Sequence, residues 1–475
     1  MIARTPAGVS AVVVITRDLA RRFRAVAATC AAGRRRGPAP PVVARASGDT
    51  VTLTARFDGV TLGVTTPAPP GPAGVLVAPM AVLEAVEGAG AGPVELRVSG
   101  GHSGEARWVD AGTPRSLPFE APSPGRPDDP PPDPAEWHPV PPRLLAALHE
   151  CGRTAARDPG RYALHRVQVR GGAGAVVGTD GRTALVAGGF EFPFGEDLLV
   201  PAVPAFGCRE LAGTAAVHVG RAGGHLAVRA GPWTVWLPAD AGGRYPDLDG
   251  VVPRAGAGAV AGLDAADAAA VLAALPGLPG ADGEGRPVTL DLDGGVAVRA
   301  RGPDGVAELR LSRSPAAGPP ARVAVDRAAL RRALRLGCHT VRTAGGGRPV
   351  AFEGAGLTLV TVALDPDAAV APDPAARVTH TDPAAHGPVH PRPERRTTMP
   401  PPDTTGVPGP GRADPPPAEA PDPLAEAEAL RAALAEAAAR AGRLVAALKH
   451  RRREQKALTQ AWSSLRALNL TPDRP

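Results

Sequence analysis

The chain has 475 residues, 44% of them hydrophobic and 21% charged, with Gly 58, Pro 57 and only 3% aromatic. That length suggests about three domains of roughly 150 residues each, with many turns and cores built from Val, Leu and Ala. The formal net charge of +6 suits a polyanion partner. Four scattered cysteines with no CxxC pair argue against a zinc site and fit reduced thiols in a cytosol.

The opening MIARTPAGVSAVVVITRDL lacks a signal-peptide layout, and no apolar run of about 18 residues follows. The expectation is therefore a cytoplasmic protein with no membrane partner. Along the chain a pattern recurs three times: a short strand, a helix, Gly-punctuated strands, a second helix and more strands. The first helix of each unit is predicted over Arg17–Thr29, Pro142–Ala156 and Asp264–Leu275. The second is predicted over Pro79–Glu87, Pro204–Leu211 and Asp326–Leu336. Apolar residues at three- and four-residue steps support most of them.

The intervening segments alternate as strands do, for example Asp49–Phe57, Pro93–Val98, Tyr162–Val169, Trp233–Leu237, Val288–Leu292 and Val296–Ala300. Gly223-Gly224 and Gly294-Gly295 mark hairpin turns. Proline-rich stretches at 122–134 and 253–262 separate the units. After Leu364 the periodicity stops, and residues 365–422 read as a disordered Pro-rich linker. A coiled-coil-like helix is predicted over 423–470, with a seam through Leu430, Leu434, Leu444 and Leu448 and a basic KHRRR run at Lys449–Arg453. Its partner is not specified by the sequence.

Chemistry-bearing motifs are sparse. There is no nucleophile elbow, Walker loop or HExxH. Gly171–Gly178 is Gly-rich but lies between strands, where it has no helix N-terminus to cradle phosphate. Asp180 with Arg182 reads as turn chemistry, and Asp291 with Asp293 as the flank of a hairpin. The expectation is a non-catalytic chain with no cofactor and no metal.

Arg161–Leu164 (RYAL), Gly178–Leu185 (GTDGRTAL) and Arg244–Pro253 (RYPDLDGVVP) together resemble the middle domain of the bacterial DNA polymerase III beta subunit, the beta sliding clamp. Arg322–Leu334 resembles that family's last inner helix, and Ala351–Leu364 its closing strands. The resemblance implies an α+β fold of three clamp domains, each with two helices and two small sheets, over residues 1–121, 135–254 and 260–364. It implies a homodimeric ring around double-stranded DNA, tethering a DNA polymerase and opened by clamp-loader subunits.

In such a ring, cationic side chains on the inner helices face phosphates without reading bases. The residues placed there are Arg17, Arg21, Arg22 and Arg24, then Arg143, Arg153 and Arg157, and finally Arg327, Arg331, Arg332 and Arg335. Asp264–Leu275 is acidic, so the lining is expected to be uneven. The family's outer partner pocket implies Leu164, Thr179, Gly181, Arg182, Pro246, Val251, Val360 and Val362. Thr183, Ala184, Gly250 and Ala329 replace larger family side chains, and Val362-Ala363-Leu364 replaces its terminal motif, so the groove is expected to bury less partner surface. The rival expectation is a non-replicative clamp paralogue that acts as an interaction scaffold through its C-terminal helix.

Overall fold

Ala11–Thr16 (AVVVIT) buries Val13 and Ile15 and forms strand β1, as β-branched residues favour. Helix α1 (Arg17–Ala31) follows and buries Leu19, Ala20, Phe23, Val26, Ala27 and Cys30. That spacing gives it one apolar face. The computed structural model describes residues 11–31, 38–69, 71–99, 102–122, 129–159, 162–253, 258–280 and 285–381. The predicted helix over 423–470, Arg34–Arg36, Arg161, His386 and His390 lie outside the described residues.

The first unit continues with β2 (Val42–Ser47), β3 (Thr50–Phe57), β4 (Val60–Pro67), β5 (Gly74–Ala78), α2 (Met80–Val86), β6 (Pro93–Ser99), β7 (Ser103–Asp110) and β8 (Thr113–Glu120). The second runs β9 (His138–Val140), α3 (Arg143–Thr154), β10 (Arg166–Arg170), β11 (Ala175–Thr179), β12 (Thr183–Ala187) and β13 (Asp197–Pro201). It then forms a 3-10 turn (Pro204–Gly207), α4 (Arg209–Ala212), β14 (Val217–Ala222), β15 (His225–Ala230) and β16 (Trp233–Pro238). The third holds β17 (Ala259–Gly262), α5 (Ala265–Ala274), β18 (Pro287–Leu292), β19 (Val296–Gly302), β20 (Gly305–Leu311), the two-residue β21 (Ala316–Ala317) and β22 (Ala321–Asp326). It closes with α6 (Arg327–Arg335), β23 (Thr340–Thr343), β24 (Val350–Gly354) and β25 (Leu357–Thr361).

Setting aside β21, each repeat has eight strands among the described residues, and they sort into two antiparallel sheets by one rule. One sheet takes the fifth, second, third and fourth strands in that order; the other takes the first, sixth, seventh and eighth. The fourth strand of a repeat then pairs with the eighth strand of the next. Thus β4 joins β16 and β12 joins β25, giving continuous sheets of eight and nine strands across the two joints. The helices pack on these sheets through Leu144, Leu145, Leu148, Val271, Leu330 and Leu334, all buried. Burial of such side chains contributes about 1.5–3 kcal/mol each.

Two sequence expectations need correction. Pro204–Leu211 is not one helix, because Cys208 is extended (φ −71, ψ 138) and splits it into the 3-10 turn and the single turn α4. Gly207 lets α3 come close there: a Cβ on it would stand 2.4 Å from the His149 ring. The structureless linker expected from residue 365 is also corrected over 365–381. A 3-10 turn (Pro366–Ala368) is capped by the Asp365 side chain, Val370 is buried with its N–H donating to Thr289 Oγ1 at 2.8 Å, and a last strand, β26 (Arg377–His380), pairs parallel with β20. Four exposed residues among prolines and aspartates carry no periodicity by which to recognise a strand.

The Pro-rich stretch between the first two units is likewise laid on the surface where it is described. Arg45 pairs with Asp129 at 2.8 Å, Arg229 pairs with Asp133 at 3.0 Å, and Arg229 stacks 3.8 Å from the Trp137 ring centre.

Candidate nucleic-acid interface and partner cleft

The arginines grouped together in the sequence divide into two kinds. Arg327 is buried and donates to the carbonyls of Leu275, Leu278 and Pro279 at 3.2, 2.8 and 2.6 Å. It satisfies carbonyls left open just past the end of α5, and burial followed by the nearby charge of Arg286 pulls its pKa down. Its assignment to a DNA-facing surface is therefore corrected. Arg17 likewise reaches the Val86 and Glu87 carbonyls and Asp110, fastening α1 to the end of α2. Arg143 holds the Gly188 and Gly189 carbonyls at 2.8 and 2.5 Å and stacks on Phe190.

Arg332 also serves the fold. Its guanidinium donates to the Glu150 carbonyl (2.7 Å), the Glu150 carboxylate (3.1 Å) and Thr154 Oγ1 (2.8 Å), clasping α6 to α3 across the second joint. Arg24 makes a two-point contact with Glu87 at 2.5 and 2.6 Å. Arg21 bonds Asp18 at 2.6 Å, and that hydrogen bond raises its pKa. Arg22 lies 4.0 Å from Asp18 and over the Trp233 ring at 5.9 Å. The charge of α1 is therefore largely balanced, by Asp18 one turn away on the same helix and by Glu87 and Asp110, which only the fold brings near.

The remaining arginines are open to solvent. Arg331 and Arg335 are exposed on α6 and make no ion pair among the described residues, and Arg157 is exposed just past α3. Arg153 is exposed but bonds Glu150 at 3.1 Å. Arg209, exposed on α4, belongs with them; it lay within a predicted helix but was the only arginine there, so clustering did not single it out. Helix α5 is neutral outside rather than acidic. Asp264 caps its N-terminus, and Asp267 is 1% exposed and accepts from Arg313 N–H and the Ser314 hydroxyl. Its outer face carries Ala265, Ala269 and Ala273.

Beside the second joint lies a cleft of about 620 Å³ bordered by Arg153, Asp180, Arg182, Asp326, Arg332 and Asp365, with Val362, Ala363 and Leu364 as its apolar part. Of the predicted pocket residues, Arg182 and Val362 line it. Thr179 and Val360 are buried inside the sheet at 2% exposure. Gly181 (φ +89) forms the turn, with Leu164 against it. That turn is fixed by Asp180 Oδ1, which accepts from the N–H groups of Arg182 and Thr183. Pro246 and Val251 lie outside the cleft lining. Near them, Leu248 and Tyr245 pack on Val177, Ala184 and Val186. The space left by small side chains at Ala184 is therefore partly filled from within the chain.

Repeat 3 also holds a buried ionic group. Arg299 pairs with Asp291 and Glu308, each under 8% exposed; Arg310 bonds the other oxygen of Glu308, and Arg322 shares Asp291 Oδ2 with Arg299. Asp291 thus sits within β18, while Asp293 occupies the hairpin turn. Burial alone would raise the Glu308 pKa, but hydrogen bonds from Arg299 and Arg310 outweigh it and hold the carboxyl below its usual range. Burial pushes the Cys151 and Cys338 thiols upward, the latter to about 11, so both stay protonated near neutral pH. Among the described residues no three His, Cys, Asp or Glu side chains gather as a metal site, and no helix is long and apolar enough to cross a membrane.

No protein-family profile and no curated protein matches this chain. Solved structures do. A sliding clamp (DNA polymerase III subunit beta) from Pseudomonas aeruginosa, bound to griselimycin, aligns at 17% identity and a TM-score of 0.59, over 75% of this chain and 100% of that one. A beta sliding clamp from C. crescentus aligns at 19% identity and 0.60, over 76% and 100%. The DNA polymerase III beta subunit of Thermotoga maritima aligns at 14% identity and 0.60, over 74% and 99%. At these identities the likeness is one of fold.

Proposed function

We propose that this chain, which has the fold of the bacterial DNA sliding clamps, works as a divergent clamp: two copies encircle duplex DNA and tether a polymerase or repair enzyme in the cytoplasm. The observation that carries this reading is the threefold unit whose fourth strands join the next unit's eighth strands, a plan that extends by repetition. The exposed arginines Arg157, Arg209, Arg331 and Arg335, with Arg21 and Arg153, supply a modest cationic helix layer. Such a layer attracts phosphates without reading sequence. No step here needs a nucleophile, cofactor or metal.

The test is retention on DNA. Protein assembled on nicked circular duplex, with a clamp loader supplied, should stay bound through a salt wash and slide off when the circle is cut. Equal loss from circular and linear DNA would sink the ring reading.

One observation favours the scaffold reading. The cleft at the second joint has a rim of three arginines and three aspartates around an apolar part made by Ala328, Ala329, Val362, Ala363 and Leu364, so a purely apolar linear motif would leave the charged rim without partners. A partner carrying mixed charge fits it better. Sub-micromolar binding of an apolar polymerase clamp-binding peptide would exclude that alternative.

A further inference from the structure

The joints inside the chain define a rule. Four residue pairs link β4 to β16 (Thr61–Val64 with Trp233–Trp236), and five link β12 to β25 (Thr183–Ala187 with Leu357–Thr361), both antiparallel. In each case the fourth strand of one repeat meets the eighth of the next. Two such strands are left over: β20, the fourth of repeat 3, and β8, the eighth of repeat 1. They belong to the two terminal sheets, so the rule continues only if one copy's β20 meets another copy's β8.

The edge of β20 is already taken. Ala307–Arg310 pairs in parallel with Arg377–His380 of β26. Thr381 fastens the end: its N–H donates to the Arg310 carbonyl at 3.0 Å, its Oγ1 accepts from Ser312 N–H at 2.9 Å, and its hydroxyl reaches Asp267. The other leftover edge is blunted differently. Pro114 and Pro118 stand in β8 opposite Val109 and Glu105. A proline cannot donate to β7, so both occupy positions whose N–H would face outward, and the outer edge of β8 lacks two donors.

We propose that β26 is a self-cap: it covers the sheet edge that the repeat reserves for β8 of a second copy, and two copies join only after β26 is displaced. This rests on the ring reading above. The cap is suited to release. It is four residues long, parallel and exposed at every position, with Val378 at 40%. Parallel pairing is slightly weaker per residue than the antiparallel pairing of a joint. Upstream, buried Val370 anchors the segment, so only residues 377–381 need to peel away.

Hydrogen exchange on the full-length chain tests this, read at residues 113–120 and 377–381 across a concentration series. Val378→Pro with Thr379→Pro places a proline on whichever position donates to β20. In that variant, protection of 113–120 should rise at a protein concentration at least about tenfold lower than in the wild type, a tenfold change in apparent Kd. A second variant, Arg310→Cys with His380→Cys, joins residues that are register partners. Oxidised, it should show no concentration-dependent protection of 113–120; reduction of the same variant should restore that protection.

Two outcomes overturn the proposal, and they separate it from the ring reading. If 113–120 gain protection at the same concentration in wild type and proline variant while 377–381 stay protected in the wild type, the cap does not compete and the ring reading stands. If 113–120 gain no protection in any variant, no second copy takes the edge and both readings fall.

Discussion

The joint between repeats 1 and 2 and the joint between repeats 2 and 3 share a strand pairing and differ in what lies behind it. Behind the first, Phe23 of α1 stacks on Trp233 with ring centres 6.3 Å apart. Trp236 lies so close to Gly63 that a Cβ there would meet its ring at 2.8 Å. Behind the second, Arg332 bridges to Glu150 and Thr154, and the cleft of about 620 Å³ remains beside it. Rings fill volume, whereas a hydrogen-bonded clasp fixes a distance without filling the space around it. Both joints still keep a cleft beside them: about 710 Å³ at the first, bordered by Thr65, Thr234, Trp236, Asp129 and Arg229, and about 620 Å³ at the second, so what differs is the material of the joint and not the presence of a site.

The sharpest way to break this contrast is to empty the first joint. Trp233→Ala should cost about 3–5 kcal/mol by urea denaturation, the usual penalty for deleting a buried aromatic. A loss below about 1 kcal/mol would show that this joint is not held by its rings. Next comes Arg332→Ala, which leaves the Glu150 carboxylate and Thr154 hydroxyl short of a partner. It should cost roughly 1.5–3 kcal/mol and raise hydrogen exchange at the ends of α3 and α6, with little change around Trp233.

Acid should act at a third place, away from both joints, the buried ionic group of repeat 3. The Glu308 pKa is depressed in the fold, so its stabilisation is complete above the unfolded value of about 4.3 and is lost as pH falls through the lower folded value. Glu308→Gln should flatten that part of the stability–pH curve and cost about 1–2 kcal/mol at neutral pH. An unchanged acid limb in the variant would remove Glu308 from the account. The smallest effect sharpens the contrast within one helix. Arg331→Ala and Arg335→Ala should each change stability by under about 0.5 kcal/mol. Each should lower the slope of log binding constant against log salt on DNA by about 1. A change in stability with no change in slope would place them with Arg332.

Much of the architecture was legible from spacing alone. The helices at Arg17–Ala31, Arg143–Thr154 and Arg327–Arg335 follow apolar residues at three- and four-residue steps, and the alternating strands lie close to where alternation puts them. The clamp likeness read from RYPDLDGVVP and GTDGRTAL agrees with the fold found in solved clamps. The roles of the arginines were not legible. Spacing puts Arg327 and Arg331 on one helix, but only the folded chain brings the Leu275, Leu278 and Pro279 carbonyls, 48 to 52 residues away, against the first of them. A cation that closes a helix end and one that faces water look alike in a sequence. β26 escaped for a different reason: its register comes from β20, not from any pattern of its own.

Sheets that run through the joints also set a clock on synthesis. The pairing edge of β4 is complete at Pro67, yet its partner begins at Trp233, and β12 ends at Ala187 with its partner beginning at Leu357, so each edge waits about 170 residues. At roughly 5–20 residues per second, each stands open for on the order of ten to thirty seconds. During that time the nascent chain presents an unpaired strand of the kind that recruits other strands. Neither of the first two repeats can finish both of its sheets before the next is made, so the yield of folded protein depends on how quickly the ribosome delivers the second half of each joint.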